Sequence, residues 1–120
     1  MFLQLAHQQL EIYKKAKLLV RECYLITKNF PPEEKFALSQ QIRRASISVH
    51  LNIAEGASRK SIAERRRFYE IARGSLIEVD AAFEVAEELN YTQKNEMETA
   101  GKYLLECFKM LSVMMQPVTV

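Results

Sequence analysis

The chain has 120 residues, of which 48% are hydrophobic and 27% charged, with a formal net charge of +2. That length suits one domain with its own core, and a charge so near zero does not by itself imply a nucleic-acid partner. Only three glycines and three prolines occur, too few turn-formers for a β-sandwich or a loop-rich enzyme.

The opening run Met1-Phe2-Leu3-Gln4-Leu5-Ala6-His7 lacks the basic start and long apolar core of a signal peptide. No apolar stretch reaches the ~18–20 residues of a membrane span. Cys23 and Cys107 are too few for a disulfide framework and form no CxxC pair. A cytoplasmic protein with reduced thiols and no membrane partner is expected.

The first predicted element is a helix over residues 3–29. Ile12, Ala16, Leu19, Cys23 and Ile26 step by four and three along it. A second stripe, Ala6, Leu10, Tyr13, Val20 and Tyr24, lies beside the first. Such a wide apolar face suits either a broad core contact or a partner surface. Pro31 and Pro32 then stop the helix, and Glu33 and Glu34 favour the start of the next one.

The second helix is predicted over residues 33–55, with Leu38, Ile42, Ala45, Val49 and Ile53 inward. Gly56 suits a left-handed cap, and Ser61-Ile62-Ala63-Glu64 reads as a capping box. The third helix is predicted over 62–89, with the stripe Phe68, Ala72, Ser75, Val79, Ala82, Ala86 and Leu89. Asn90 is its expected stop and Thr92 the expected N-cap of the fourth helix. That helix covers 93–115, with Met97, Ala100, Leu104, Cys107 or Phe108, Leu111 and Met115. No segment alternates with the period of a strand. The expected fold is all-α, an up-down-up-down antiparallel four-helix bundle forming a single domain over residues 1–120.

Two stretches are more specific than periodicity. One is Gln41-Ile42-Arg43-Arg44-Ala45-Ser46-Ile47-Ser48-Val49-His50-Leu51-Asn52-Ile53-Ala54-Glu55-Gly56; the other is Phe68-Tyr69-Glu70-Ile71-Ala72-Arg73-Gly74-Ser75-Leu76-Ile77-Glu78. Together they closely resemble the four-helix-bundle family of proteins encoded in intervening sequences of bacterial 23S ribosomal RNA genes. The likeness covers nearly the whole chain. It implies a left-handed bundle assembled into a homopentameric ring. It implies no established activity, and the family's RNA or DNA role is inferred from gene context and surface charge.

The same residues have a physical reading. Ala45, Ser46, Ser48, Ala54, Ala72, Gly74 and Ser75 are small and would let the second and third helices approach closely. A mid-helix glycine such as Gly74 costs about 1 kcal/mol relative to alanine, so close packing is expected there. Asn52, Glu55, Ser75 and Glu78 are the candidates for an interhelical hydrogen-bond network, because buried polar groups need partners. That network would either fix helix register or form a ligand or RNA site.

Enzymatic chemistry is not expected. His7 and His50 lie in no Glu-x-x-His pair and near no cysteine, so neither a metal nor a cofactor is implied. Cys23 and Cys107 would sit at heights ~12 Å apart on neighbouring helices, too far for a disulfide. There is no phosphate-binding glycine loop and no nucleophile elbow. Met110, Met114 and Met115 read as core or interface filler. No small-molecule substrate is expected.

The charge is unevenly placed. Arg59, Lys60, Arg65, Arg66, Arg67 and Arg73 face only Glu55, Glu64 and Glu70 in the same stretch, a surplus of three positive charges. In an up-down bundle the opposite end gathers Glu33, Glu34, Glu84, Glu87, Glu88, Glu96 and Glu98 against Lys28, Lys35 and Lys94. Lys14, Lys15, Lys17 and Arg21 add a basic strip on the first helix. Within a ring, the basic end would form a rim able to attract phosphate backbones without reading sequence. Phe68 is assigned to the core, so base stacking is not expected there. The primary reading is a non-enzymatic homo-oligomer that binds RNA or DNA through Arg59, Lys60, Arg65, Arg66, Arg67, Arg73, Lys14 and Lys15. The alternative is a protein-interaction scaffold or adaptor using the acidic end or the methionine-rich C-terminus.

Overall fold

The apolar stripes order the chain into four helices. The structure, a computed structural model, describes residues 1–116. Helix α1 spans Glu11–Thr27, α2 Leu38–Ser58, α3 Ile62–Glu88 and α4 Glu98–Met114. Single turns of 3-10 helix lie at Ala6–Gln9, Pro32–Glu34 and Lys94–Met97, and no strand occurs among the described residues. The protein is all-α.

Nearly every residue of the inward stripes is buried. Ile12, Ala16, Leu19, Cys23 and Ile26 of α1 meet Ile42, Ala45, Val49 and Ile53 of α2 and Ala72, Val79, Ala82 and Ala86 of α3. Ala100, Leu104, Cys107, Leu111 and Met115 complete one continuous core. The α3 face is wider than its predicted stripe, because Tyr69, Leu76 and Phe83 are buried as well. Leu89 lies outside the core. Of the second α1 stripe, Tyr13 and Val20 are half-buried, whereas Ala6, Leu10 and Tyr24 are exposed.

Three helix starts differ from prediction, that of α4 because the Lys94–Met97 turn precedes it and the helix begins at Glu98. The first helix begins at Glu11, because Leu10 is extended (φ −66°, ψ 134°) and separates it from the Ala6–Gln9 turn. That turn is closed locally: the Leu5 amide donates to Gln8 Oε1 at 2.8 Å. Its His7 ring packs edge-on to Tyr13, which in turn lies 4.3 Å from the His50 ring of α2. The second helix begins at Leu38, after the Pro32–Glu34 turn, and runs on to Ser58. Glu34 caps it, its Oε2 accepting from the Leu38 amide at 3.1 Å.

Helix α2 packs most extensively on α3 and also against α1, while α4 meets α1 and, more sparsely, α3. Cross-helix contacts fix the register. Between α2 and α3 they run from Gly56 at Tyr69, through Ser48 at Ser75, to Gln41 at Glu78. Residue numbers fall on α2 as they rise on α3, so these two helices are antiparallel. Arg43 Nε of α2 donates to Thr27 Oγ1 of α1 at 2.8 Å, and Thr27 Oγ1 donates to the Cys23 carbonyl. Lys15 of α1 reaches Glu106 of α4.

Neither glycine has its expected role. Gly56 is not a left-handed cap; it lies inside α2 with no positive φ. A Cβ there would meet Tyr69 Cε1 at 2.6 Å and Phe68 Cβ at 3.1 Å, so Gly56 is the point of close approach. Gly74, expected to be that point, is exposed, and a Cβ on it would meet nothing within 4 Å. Close packing therefore does not offset its propensity cost within the protomer.

The ends of α3 follow the sequence signals, except that among the described residues only the Ser61 half of the expected capping box forms. Ser61 Oγ accepts from the Glu64 amide at 3.1 Å, satisfying one of the open amides of the first turn. Asn90 takes φ 61°, and the Tyr91 and Asn90 amides donate back to the Ala86 and Glu87 carbonyls. This is a Schellman stop with asparagine in place of glycine. Thr92 is not the next N-cap. Gln93 holds that position for the Lys94–Met97 turn, and the Thr92 hydroxyl is buried with no partner among the described residues. Tyr91 also packs against Phe30, with ring centroids 5.5 Å apart, and donates to Glu34 Oε1 at 3.0 Å. The first and third connections therefore share one end.

Candidate nucleic-acid interface

Residues 59–61 and the first turns of α3 carry the basic cluster. Helical residues advance about 100° each, so Arg65, Arg66 and Arg67 fan around the start of α3. All six predicted cations, Arg59, Lys60, Arg65, Arg66, Arg67 and Arg73, are exposed. Their environments differ. Arg59 pairs with Glu55 at 2.9 Å, and its guanidinium lies 4.9 Å from the centroid of the Phe68 ring. Its carbonyl accepts from Arg65 Nε at 2.6 Å. Arg66 faces Glu70 at 3.5 Å. Arg73 lies over Phe108 of α4, 5.2 Å from the ring centroid. Lys60 and Arg67 have no ion-pair partner among the described residues.

The basic strip on α1 is less available than its sequence suggests. Lys14 stands 3.9 Å from Glu11. Lys15 is hydrogen-bonded to Glu106 at 2.5 Å, and this bond raises the Lys15 pKa and lowers that of Glu106. Lys15 is a clasp between α1 and α4, so its charge is already matched and it drops out of the basic surface.

Between the start of α3 and the end of α4 lies a pocket of about 370 Å³, lined by Ile62, Arg65, Arg66, Tyr69, Met114, Met115 and Gln116. Tyr69 and Met115 are buried beneath it, and Ile62 is 69% exposed. Phe68, assigned to the core from sequence, is only half-buried and carries Arg59 on its face. The opposite end is acidic: Asp80, Glu84, Glu87 and Glu98 share a pocket there with Lys94. A further groove of about 440 Å³ runs between α3 and α4, with Leu76, Ile77, Gly101, Leu104, Leu105 and Phe108 along it.

Three of the four network candidates bond across helices or to a residue that does. Asn52 Nδ2 donates to the Ser48 carbonyl at 2.8 Å and to Ser48 Oγ at 3.0 Å, while Ser75 Oγ donates to Ser48 Oγ at 2.8 Å. Glu78 accepts from Gln41 Nε2. Glu55 stays on its own side, paired with Arg59. Ser48 is the centre of this relay, and Gln41 and Arg43 donate from α2 to α3 and α1. The sequence signal for Ser48 is its place one turn before Asn52, where an asparagine amide reaches the i−4 position.

The remaining reactive side chains are quiet. Burial pushes the thiols of Cys23 and Cys107 up to about 12, and both are free. His50 is held below its usual range by burial and then by Lys17. Among the described residues no group of three or more His, Cys, Asp or Glu side chains is placed to hold a metal ion. No helix among them is long and apolar enough to cross a membrane.

No functionally curated protein matches the chain. A crystal structure from Bacteroides thetaiotaomicron, described as a protein of unknown function from the S23 ribosomal protein family, is similar in fold. Its TM-score is 0.78 at 21% sequence identity, over 88% of this chain and 99% of that one. The sequence model of the 23S rRNA-intervening sequence protein family matches residues 8–113, and the chain belongs to that family.

Proposed function

We propose that the protein is a non-enzymatic, cytoplasmic homo-oligomer that binds RNA or DNA electrostatically through its basic end. The observation that carries this reading is the exposed cluster from Arg59 to Arg67, where Lys60 and Arg67 have no ion-pair partner among the described residues. Phosphate contacts of this kind bind through released counterions and do not read sequence. The helices run up-down-up-down, a reading supported by the antiparallel register of α2 with α3 and by the shared end of the first and third connections. That arrangement gathers the cations at one end and the acids at the other.

A salt series with RNA and DNA tests the reading. Replacing Arg65, Arg66 and Arg67 together with glutamine should weaken binding about equally across sequences. The salt slope should fall by about 1 for each phosphate that an engaged subunit no longer neutralises. All three are exposed, so the fold should survive. A parent protein that binds neither nucleic acid at low salt, or a triple variant that binds as well as the parent, rejects the basic end. The α3–α4 groove favours the second reading, a protein-interaction scaffold, since Ile77 and Leu105 along it are each more than half exposed.

A further inference from the structure

We propose that the pocket between the start of α3 and the end of α4 receives an unstacked nucleobase, so that the protein prefers single-stranded nucleic acid to duplex. The proposal rests on the electrostatic reading above and deepens it. The pocket combines two chemistries that neither a phosphate site nor a plain apolar patch would bring together. Its floor is apolar, formed by the buried Tyr69 and Met115, with Met114 and the exposed Ile62 beside it. Its rim is cationic, formed by Arg65 and Arg66. At about 370 Å³ it lies near the lower end of the range for small-ligand pockets, roughly 300–1,000 Å³.

A base in a duplex shows the protein only its edges, because both faces are stacked. Reaching an apolar floor requires a base that is splayed out, which single strands, loops and bulges offer cheaply. Once seated, the base covers apolar surface while its own phosphates remain beside the two arginines. Guanidinium planes also stack on bases. Arg65 is held ready for this, since its Nε is bonded to the Arg59 carbonyl, and Arg66 is steadied by Glu70. Fewer rotamers are then lost on binding. Ile62 is a large apolar side chain left in water at the first position of α3, a placement the core does not explain.

The test uses the full chain and three fluorescent oligonucleotides of equal length: a single strand, the same strand with abasic sites throughout, and the blunt duplex. The base-bearing strand should bind about fivefold or more tightly than the abasic strand, given the usual value of one stacked base. Both should show the same salt slope, because their phosphates are equal in number. Ile62→Ser should shrink that ratio without changing the slope, and circular dichroism should confirm that it folds. Equal binding of base-bearing and abasic strands overturns the pocket and leaves the electrostatic reading standing. So does a duplex bound more tightly than the single strand, the order that charge density alone produces. An unchanged ratio in Ile62→Ser puts the bases elsewhere and overturns the pocket too. A parent with no salt-sensitive binding removes both proposals together.

Discussion

Gly56 and Gly74 are the same residue type in facing helices, yet they carry opposite consequences. A methyl group on Gly56 would drive into the buried Tyr69 ring, whose Cε1 would stand at 2.6 Å. Gly56→Ala should therefore destabilise the protein by about 1–3 kcal/mol despite alanine's better helix propensity. Gly74 has open space over its α-carbon. Gly74→Ala should stabilise by about 0.5–1 kcal/mol, and thermal unfolding of the two variants should move in opposite directions. A melting temperature that falls for Gly74→Ala would mean that the residue is covered in the assembled protein. Sequence does not separate these roles, since both glycines sit among small neighbours and periodicity gives a face but not a distance. The polar relay is legible in outline: Asn52, Ser75 and Glu78 stand out as polar residues in need of partners, but Ser48 at its centre looks like just another small residue. Which hydroxyl two partners share depends on helix register, and register is set by the whole interface.

At the scale of elements, the four helices are legible because each has a long apolar stripe at helical spacing, and the α3 boundaries are legible because Ser61 and Asn90 are strong local signals. The starts of α1, α2 and α4 are not. Apolar periodicity continues through Leu10 into Ala6, yet the chain breaks there to lay His7 against Tyr13 beside His50. That break is tertiary in origin and leaves no glycine or proline behind. At α2 the acids after Pro32 do act at a helix start, but through a side chain: Glu34 caps Leu38 from outside the helix and also receives Tyr91. The Tyr91 pKa is raised because its hydroxyl donates to that carboxylate. Glu34→Ala removes the cap and should cost about 1 kcal/mol. It should also bring the Tyr91 titration back toward that of an ordinary tyrosine, measurable by ultraviolet absorbance. A variant with unchanged stability and an unchanged tyrosine titration would show that Glu34 couples to neither.

At the scale of the whole molecule, charge and apolar surface point in different directions. The Arg59–Arg67 cluster lies at one end and the cluster of Asp80, Glu84, Glu87 and Glu98 towards the other, while exposed apolar side chains, including Tyr24, Leu25, Ile77 and Leu105, run along the sides. Surface of that kind on so small a protein suits lateral association. Light scattering at micromolar concentration should give a mass that is a multiple of the 13.9 kDa chain, five-fold if the ring implied by the family resemblance forms. A monomeric mass would rule out lateral assembly and leave the apolar flanks to another partner. The basic cluster is readable from sequence because it is contiguous. The pocket beneath it is not, since Ile62 and Met114 lie more than 50 positions apart and meet only when α4 returns to that end.

The unequal packing of the helices also orders their assembly in time. Helices α2 and α3 share the most extensive contact and are joined by only three residues, 59–61. A short loop costs little entropy to close, and local contacts form fast. All residues of this hairpin, Gly56 and Tyr69 included, precede α4 in the chain. Helix α1, made first, finds α2 early but waits for its other neighbour. Until Glu106 emerges, Lys15 has no carboxylate to clasp and the flank of α1 lies open. Helix α4 is the last of the four in the chain, and by returning to Ile62 and Arg65 it is also the segment that completes the pocket.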